Sequence, residues 1–265
     1  MIWPMPFGGA VKCISKLTPR HHGNTYDILD AMTRPAISGA LSAKPFSPES
    51  LLKALELVHD YAAAFQQPNS QKHPISLRDH TYMVCMGFED LGLQVPAPFQ
   101  ESTFRLMLAL HDIGKPDAWQ NGHKHWQHSI TDQMIQVHSS ELPVSGAQLS
   151  LIRSLVRGDY LGLFLRGRSS LDTTNAALIE LSQQMRVTHR QALAAVTTFY
   201  QVDAISYSAY TVKRYFPHHL DSFSLKPKLE GVFAWSASGR PQVAPDRSRL
   251  VFSPRYEYLY SRLLP

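Results

Sequence analysis

The run Leu108-Ala109-Leu110-His111-Asp112-Ile113-Gly114-Lys115-Pro116 sets an imidazole and a carboxylate side by side at the end of an apolar helical turn. Nitrogen and oxygen donors of this kind suit a divalent cation. Phe104, Met107 and Leu108 lead into His111 at spacings of three and four, so one helical face carries core residues and delivers His111 at its end. Adjacent residues of a helix point about 100° apart, so such a pair converges on one ion only where the helix stops. Gly114 and Pro116 are expected to stop it there. A terminal His-Asp pair also serves as a helix cap or a surface pair, so the reading depends on what else the chain brings to helical positions.

Two further stretches bring it. In the segment opened by Arg78-Asp79-His80-Thr81, the residues Leu77, His80, Met83, Val84, Gly87 and Phe88 share one helical face. In Phe199-Tyr200-Gln201-Val202-Asp203-Ala204-Ile205-Ser206-Tyr207 a single carboxylate lies in an apolar helix, with Val196, Phe199, Tyr200, Tyr207 and Tyr210 beside it. Burying Asp203 unpaired would be costly, so a cation or strong donors should face it.

A histidine, then His-Asp, then a distant Asp, each on its own helix, resembles the HD-domain phosphohydrolase superfamily over about residues 47–216. The specific part runs from Leu110-His111-Asp112-Ile113-Gly114-Lys115-Pro116 to His128-Ser129-Ile130-Thr131-Asp132. It is similar to the HD domains of bacterial tRNA nucleotidyltransferases and of related nucleotide or cyclic-phosphodiester hydrolases. The resemblance implies an all-α helical bundle whose metal ligands are His80, His111, Asp112 and Asp203. It implies an extra metal- or phosphate-binding histidine at His128, with His125 as the substitute; exposed histidines at a loop tip are the plain alternative. Two-metal members commonly place another histidine where this chain has Asp159, which is either a ligand for Mg²⁺ or Mn²⁺ or a helix-ending cap. Lys115 would bind the substrate phosphate, with Arg78 a weaker candidate, and Asp112 would be both ligand and water-orienting base.

His and Asp donors without thiolates suit a catalytic ion, drawn from Mn²⁺, Ni²⁺, Co²⁺, Mg²⁺ or Fe. The expected function is therefore metal-dependent hydrolysis of a nucleotide or phosphodiester. The alternative is a catalytically silent HD module that binds a nucleotide or partner for regulation. An RNA-processing role leans only on the tRNA-enzyme resemblance and on charge. Of the net +5, residues 1–46 hold five basic and two acidic side chains, residues 217–265 hold seven and four, and the middle is nearly neutral. A nucleic-acid groove across the site is thus disfavoured.

At 265 residues, 44% hydrophobic and 18% charged, the chain can bury one substantial core. No apolar run approaches the roughly 20 residues of a membrane span, and the start Met1-Ile2-Trp3-Pro4 is unlike a signal peptide, so the expected location is cytoplasmic. Cys13 and Cys85 are too few and too far apart for a disulfide framework or a thiolate zinc site.

The elements that must position the candidate residues follow from caps and periodicity. Residues 1–46 read as an extension with one short helical turn around Tyr26 to Met32. Ser47-Pro48-Glu49 opens a helix carrying Leu51, Leu52, Leu55, Val58, Ala62 and Phe65 and ending before Pro68. A polar loop from Asn69 to Pro74 leads to the His80 helix, which ends near Gly92. Trp119 to His128 turns from loop into a helix with Trp126, Ile130, Met134 and Val137 on its core face. Helices are expected over Gly146–Arg157, Asp172–Val187 and His189–Tyr215, with a basic loop containing Arg166 and Arg168 between the first two. In residues 217–265, Gly231–Trp235 and Arg249–Ser253 read as the strands of a small hairpin about Ser238-Gly239-Arg240-Pro241.

Overall fold

Three helices that share one core bring the candidate residues together. A computed structural model describes residues 25–70, 73–216, 233–234, 236, 240–245, 249–254, 257 and 261–262. Among these residues the protein is mostly helical, with one small antiparallel hairpin. No helix among the described residues is long and apolar enough to cross a membrane.

Helix α1 (Thr25–Ser42) is far longer than the single turn expected, and it runs through Pro35. Its Ile37, Ala40 and Leu41 are buried in the main core, which explains why a Pro- and Gly-bearing stretch holds a helix: tertiary burial outweighs weak propensity. The next helix is capped as expected, the Ser47 hydroxyl accepting from Ser50 N, but it is broken into α2 (Pro48–Leu55) and α3 (His59–Phe65). Val58, extended at φ −80° and ψ 114°, makes the break while keeping its own side chain in the core. His59 is solvated, as a lone histidine at that position should be.

The stretch expected to be a polar loop is instead a hairpin, β1 (Pro68–Ser70) with β2 (His73–Ser76). It feeds α4 (Leu77–Asp90), whose N-cap Ser76 accepts from Asp79 N. All six residues assigned to the α4 core face are buried. α5 (Glu101–Leu110) ends where the apolar pattern ends, leaving His111 to Gly114 as a turn. Pro116 does not simply stop that helix: it sits in the first turn of a new one, α6 (Lys115–Gln120), as its fixed φ allows.

Gly114 has φ −88°, so its role is not left-handed freedom. A Cβ there would lie 2.3 Å from Thr131 N and 2.6 Å from the Ile130 carbonyl carbon. The His-Asp turn is thus pressed onto α7 (Gln127–Val137), and Thr131 Oγ1 accepts from Gly114 N at 3.1 Å. The buried residues of α7 are Thr131, Met134 and Ile135, whereas Val137, expected inside, is 51% exposed. A short 3₁₀ turn, Lys124–Trp126, precedes α7 and shifts the helical phase from that read off the sequence.

α8 (Gly146–Val156) has a full capping box from Ser145 and Gln148. The basic segment that follows holds a short helix, α9 (Gly162–Leu165), then α10 (Leu171–Met185), capped by Ser170 and closed by Arg186 in the left-handed region at φ 55°. The last long helix is broken too, into α11 (His189–Ser206) and α12 (Ala209–Tyr215), because the Ser208 hydroxyl accepts from Thr211 N and starts a new helix. α4 packs against α2, α5, α11 and α12, so it is the hub of the site.

Beyond residue 216, antiparallel bridges Phe233 to Phe252 and Val243 to Leu250 lay the C-terminal segment over Ala204 and Ile205 of α11. Gly231, Val232, Trp235 and residues 237–239 of the expected hairpin, as well as Cys13 and the Tyr210 side chain, lie outside the described residues.

Candidate metal centre

His80 sits one turn into α4 and is fully buried; His111 caps α5 and Asp112 follows it in the turn; Asp203 comes from the last turn of α11. Their donor atoms converge. His80 Nε2 lies 3.3 Å from His111 Nε2, 3.3 Å from Asp203 Oδ1 and 3.6 Å from Asp112 Oδ2. His111 Nε2 lies 3.5 Å from each of the two carboxylate oxygens. One donor atom from each of the four residues falls within 4.8 Å of all the others. Around a cation with ligand distances of about 2.1 Å, adjacent donors are about 3.0 Å apart in an octahedron and about 3.4 Å apart in a tetrahedron. The observed spacings are those that one ion would bridge.

The hydrogen bonds on the far side of each ring decide what the near side offers. His111 Nδ1–H donates to Leu108 O at 2.7 Å. The Ser206 hydroxyl donates to Asp203 O at 2.6 Å, so its oxygen accepts from His80 Nδ1–H at 3.2 Å. Both rings are thereby set as Nδ1–H tautomers, and both Nε2 lone pairs point at each other and at two carboxylates. Such a convergence of lone pairs is repulsive unless a positive charge, a proton or a metal ion, sits among them; burial works against a protonated His111, but Asp112 and Asp203 outweigh it and raise its pKa. Asp203 Oδ1 also has no aligned hydrogen bond among the described residues, which leaves it able to ligate a cation.

Charge gives the same answer. With both imidazoles neutral, two carboxylates and the Lys115 ammonium leave one negative charge uncompensated in a largely buried site. Lys115 Nζ donates to Asp112 Oδ2 at 2.5 Å and to the Tyr207 hydroxyl at 3.2 Å. Burial opposes ionisation of Asp112, but Lys115, His111 and His80 outweigh it and hold the carboxyl well below the ordinary range. Burial likewise works against the charged Asp203, and the two imidazoles reverse it. Lys115 is driven upward by Asp112 despite burial, so it stays an ammonium. Burial pushes the Tyr207 phenol up to about 12, so it stays neutral.

The centre therefore contains four of the residues singled out as ligands, with Lys115 beside them. The other candidates lie elsewhere. Arg78 is taken by carboxylates, its Nε donating to Glu56 at 2.7 Å and its Nη2 to Glu49 at 2.9 Å, and so ties α4 to α2 instead of reaching a substrate. His128 Nδ1–H donates to Val156 O at 3.1 Å and its Nε2 accepts from Gln127, which makes it a link between α7 and α8. His125 is exposed and packs edge-on against Trp126. Asp159 pairs with Arg166 and lies so tightly over Gly162 that a Cβ there would be 2.2 Å from its Oδ1. Among the described residues no second group of three His, Cys or carboxylate side chains converges, so neither His128 nor Asp159 builds a second metal site.

Three residues of the site escaped the sequence reading. Tyr207 was placed with the packing residues of α11, yet its hydroxyl reaches Lys115 and its ring lies 4.7 Å from that of His80. Asn69, in the stretch read as a loop, donates from Nδ2 to the Tyr207 hydroxyl at 3.2 Å. Ser206 sets the His80 tautomer. The run Ser206-Tyr207-Ser208 carried the signal, since serine favours helix ends and marks the break that frees Tyr207. Comparison of the chain with protein-family models, with curated proteins and with solved structures gives no match.

Proposed function

We propose that the protein is a metal-dependent phosphohydrolase of the HD type, hydrolysing a nucleotide or another phosphate ester or diester. The observation that supports it is the pairing of an inward-facing His80, His111, Asp112 and Asp203 donor set with a buried ammonium, Lys115, at the same carboxylate. A purely structural ion gains nothing from a neighbouring cation that repels it. An anionic substrate does.

His80, His111, Asp112 and Asp203 would hold the ion, and the two imidazoles favour a transition metal such as Mn²⁺, Co²⁺, Ni²⁺ or Fe²⁺ over Mg²⁺. When bound, a divalent cation supplies an acidified water and polarises the phosphoryl group. Of the five side chains, Asp203 is the most open at 29% exposure, against 11% for Asp112 and Lys115, so substrate approaches past Asp203. Lys115 has three N–H donors. Asp112 and Tyr207 take two, and the third binds a non-bridging phosphoryl oxygen. Asp112, held ionised, keeps Lys115 protonated and orients the attacking water by accepting from it.

The test is a screen of metals against nucleoside mono-, di- and triphosphates, cyclic nucleotides and dinucleotides, dinucleoside polyphosphates and short RNA, with Asp112→Ala as the blank. Turnover that requires metal, vanishes with chelator and is absent from the blank is the expected result. Nucleotide binding without turnover under any metal would hand the site to the regulatory reading.

A further inference from the structure

We infer that Tyr207 is a positioning residue for Lys115, fixing the ammonium beside Asp112 with its remaining N–H available to a phosphoryl oxygen; the inference rests on the phosphohydrolase reading for its purpose, not for its geometry. Lysine ends in a flexible four-carbon stem, and a point-like ammonium held by one carboxylate can swing about it. The Tyr207 hydroxyl supplies the second fixed point, 3.2 Å from Lys115 Nζ. It is itself immobilised twice. It lies against His80, with ring centroids 4.7 Å apart, planes 31° apart and its hydroxyl 3.5 Å from His80 Nε2, and Asn69 Nδ2 donates to its oxygen at 3.2 Å.

Asn69 is fully buried, and its Oδ1 has no hydrogen-bond partner among the described residues. A buried amide that leaves one acceptor unmet is retained for what its other end does, and that end holds a phenol. With the amide turned over, Oδ1 would accept from the Tyr207 hydroxyl and the link would stand. The break between α11 and α12 serves the same end. Tyr207 caps α11 with φ −87° and ψ 4°, so it leaves the helical path while Asp203, one turn earlier, remains on it. One helix end thus delivers a metal ligand and the residue that aims the neighbouring ammonium.

The experiment compares the full chain with Tyr207→Phe, Asn69→Ala, Lys115→Met and Tyr207→Phe/Lys115→Met. Hydrogen exchange of the Lys115 ammonium is read by NMR on the Mg²⁺-loaded, ¹⁵N-lysine-labelled protein, its cross-peak identified by its loss in Lys115→Met. Removing the hydroxyl should speed that exchange about fivefold, the factor for one ordinary hydrogen bond. Asn69→Ala should act in the same direction and less strongly, so the idea stays testable if Tyr207→Phe folds poorly. Mn²⁺ affinity should stay within about threefold in both, since the ring still supports His80. Inorganic phosphate is then titrated into each Mn²⁺-loaded protein. Tyr207→Phe should weaken phosphate by about fivefold alone and by nothing further on the Lys115→Met background, because it acts through the ammonium. Parent-like exchange of the Lys115 ammonium in both Tyr207→Phe and Asn69→Ala, or a full additional loss of phosphate affinity in the double variant, would overturn the positioning role. Absence of phosphate binding by the parent would instead overturn the phosphohydrolase reading, and the exchange measurement would still decide the role of Tyr207.

Discussion

A buried cluster and a half-buried one in this molecule are built from the same parts, histidine and carboxylate, and differ in how the rings are turned. In the centre around His80 and His111, each ring spends its Nδ1–H on a backbone carbonyl or a hydroxyl, so both Nε2 atoms face two carboxylates, with the Tyr207 hydroxyl 3.5 Å from that of His80. At His138 both ring nitrogens face carboxylates, Nε2 lying 2.8 Å from Asp60 and Nδ1 lying 3.0 Å from Glu141. A ring flanked on both sides by acceptors is satisfied by a second proton, as an imidazolium. Rings whose Nε2 atoms converge are spaced to share a cation. What distinguishes a metal centre from an ion-pair staple is therefore the direction of the lone pairs, and the residue types alone do not reveal it.

The largest effect expected from breaking this contrast is at the carboxylates of the centre. Asp112→Ala or Asp203→Ala should lower Mn²⁺ affinity at least 100-fold by calorimetry, about 2.7 kcal/mol. Excess Mn²⁺ should raise the thermal midpoint of the parent and of His138→Gln, and leave that of the two Asp variants unmoved. Equal metal affinity in Asp203→Ala would remove the metal reading.

Next comes Gly114, which holds the His-Asp turn against α7. The Cβ of Gly114→Ala would meet Thr131 backbone at 2.3 Å, where no side chain can give way. Chemical denaturation should show a loss of about 2 kcal/mol, and the displaced turn should also weaken Mn²⁺. An Ala variant as stable as the parent would show that the close approach is not needed.

The staple should respond to pH in a direction set by its carboxylates. Burial pulls the His138 pKa down, but Glu141 and Asp60 outweigh it and raise it above the unfolded value. Its stabilisation is therefore fully present below the ordinary imidazole pKa of about 6.5 and is lost as pH rises through the raised folded value. His138→Gln should cost about 1 kcal/mol at pH 5.5 and markedly less at pH 9, read from urea midpoints. A cost that grows with pH would refute the imidazolium.

The smallest effect separates the centre from the candidate that lies outside it. Asp159→Asn should leave Mn²⁺ stoichiometry and affinity unchanged and shift stability by no more than about 0.5 kcal/mol, because its partner Arg166 is half exposed. Loss of a bound metal equivalent in that variant would restore a second site.

The sequence by itself determined the elements with strong periodicity or caps, and through them the four residues that converge. The α4 face from Leu77 to Phe88, the end of α5 at His111 and the apolar setting of Asp203 were all legible, because burial of one helical face imposes a spacing that the residues display. Tertiary structure alone decided which of several equally plausible polar residues joined them. Arg78 sits two residues before His80, yet the neighbouring Glu49 and Glu56 claim it; Asn69 sits in an unremarkable polar stretch, yet a hairpin carries it to Tyr207. α1 and the break at Val58 were likewise hidden, since their helices start and stop for contacts made by residues distant in the chain. Periodicity reports which face is buried; what a polar group meets there depends on partners that no local pattern encodes.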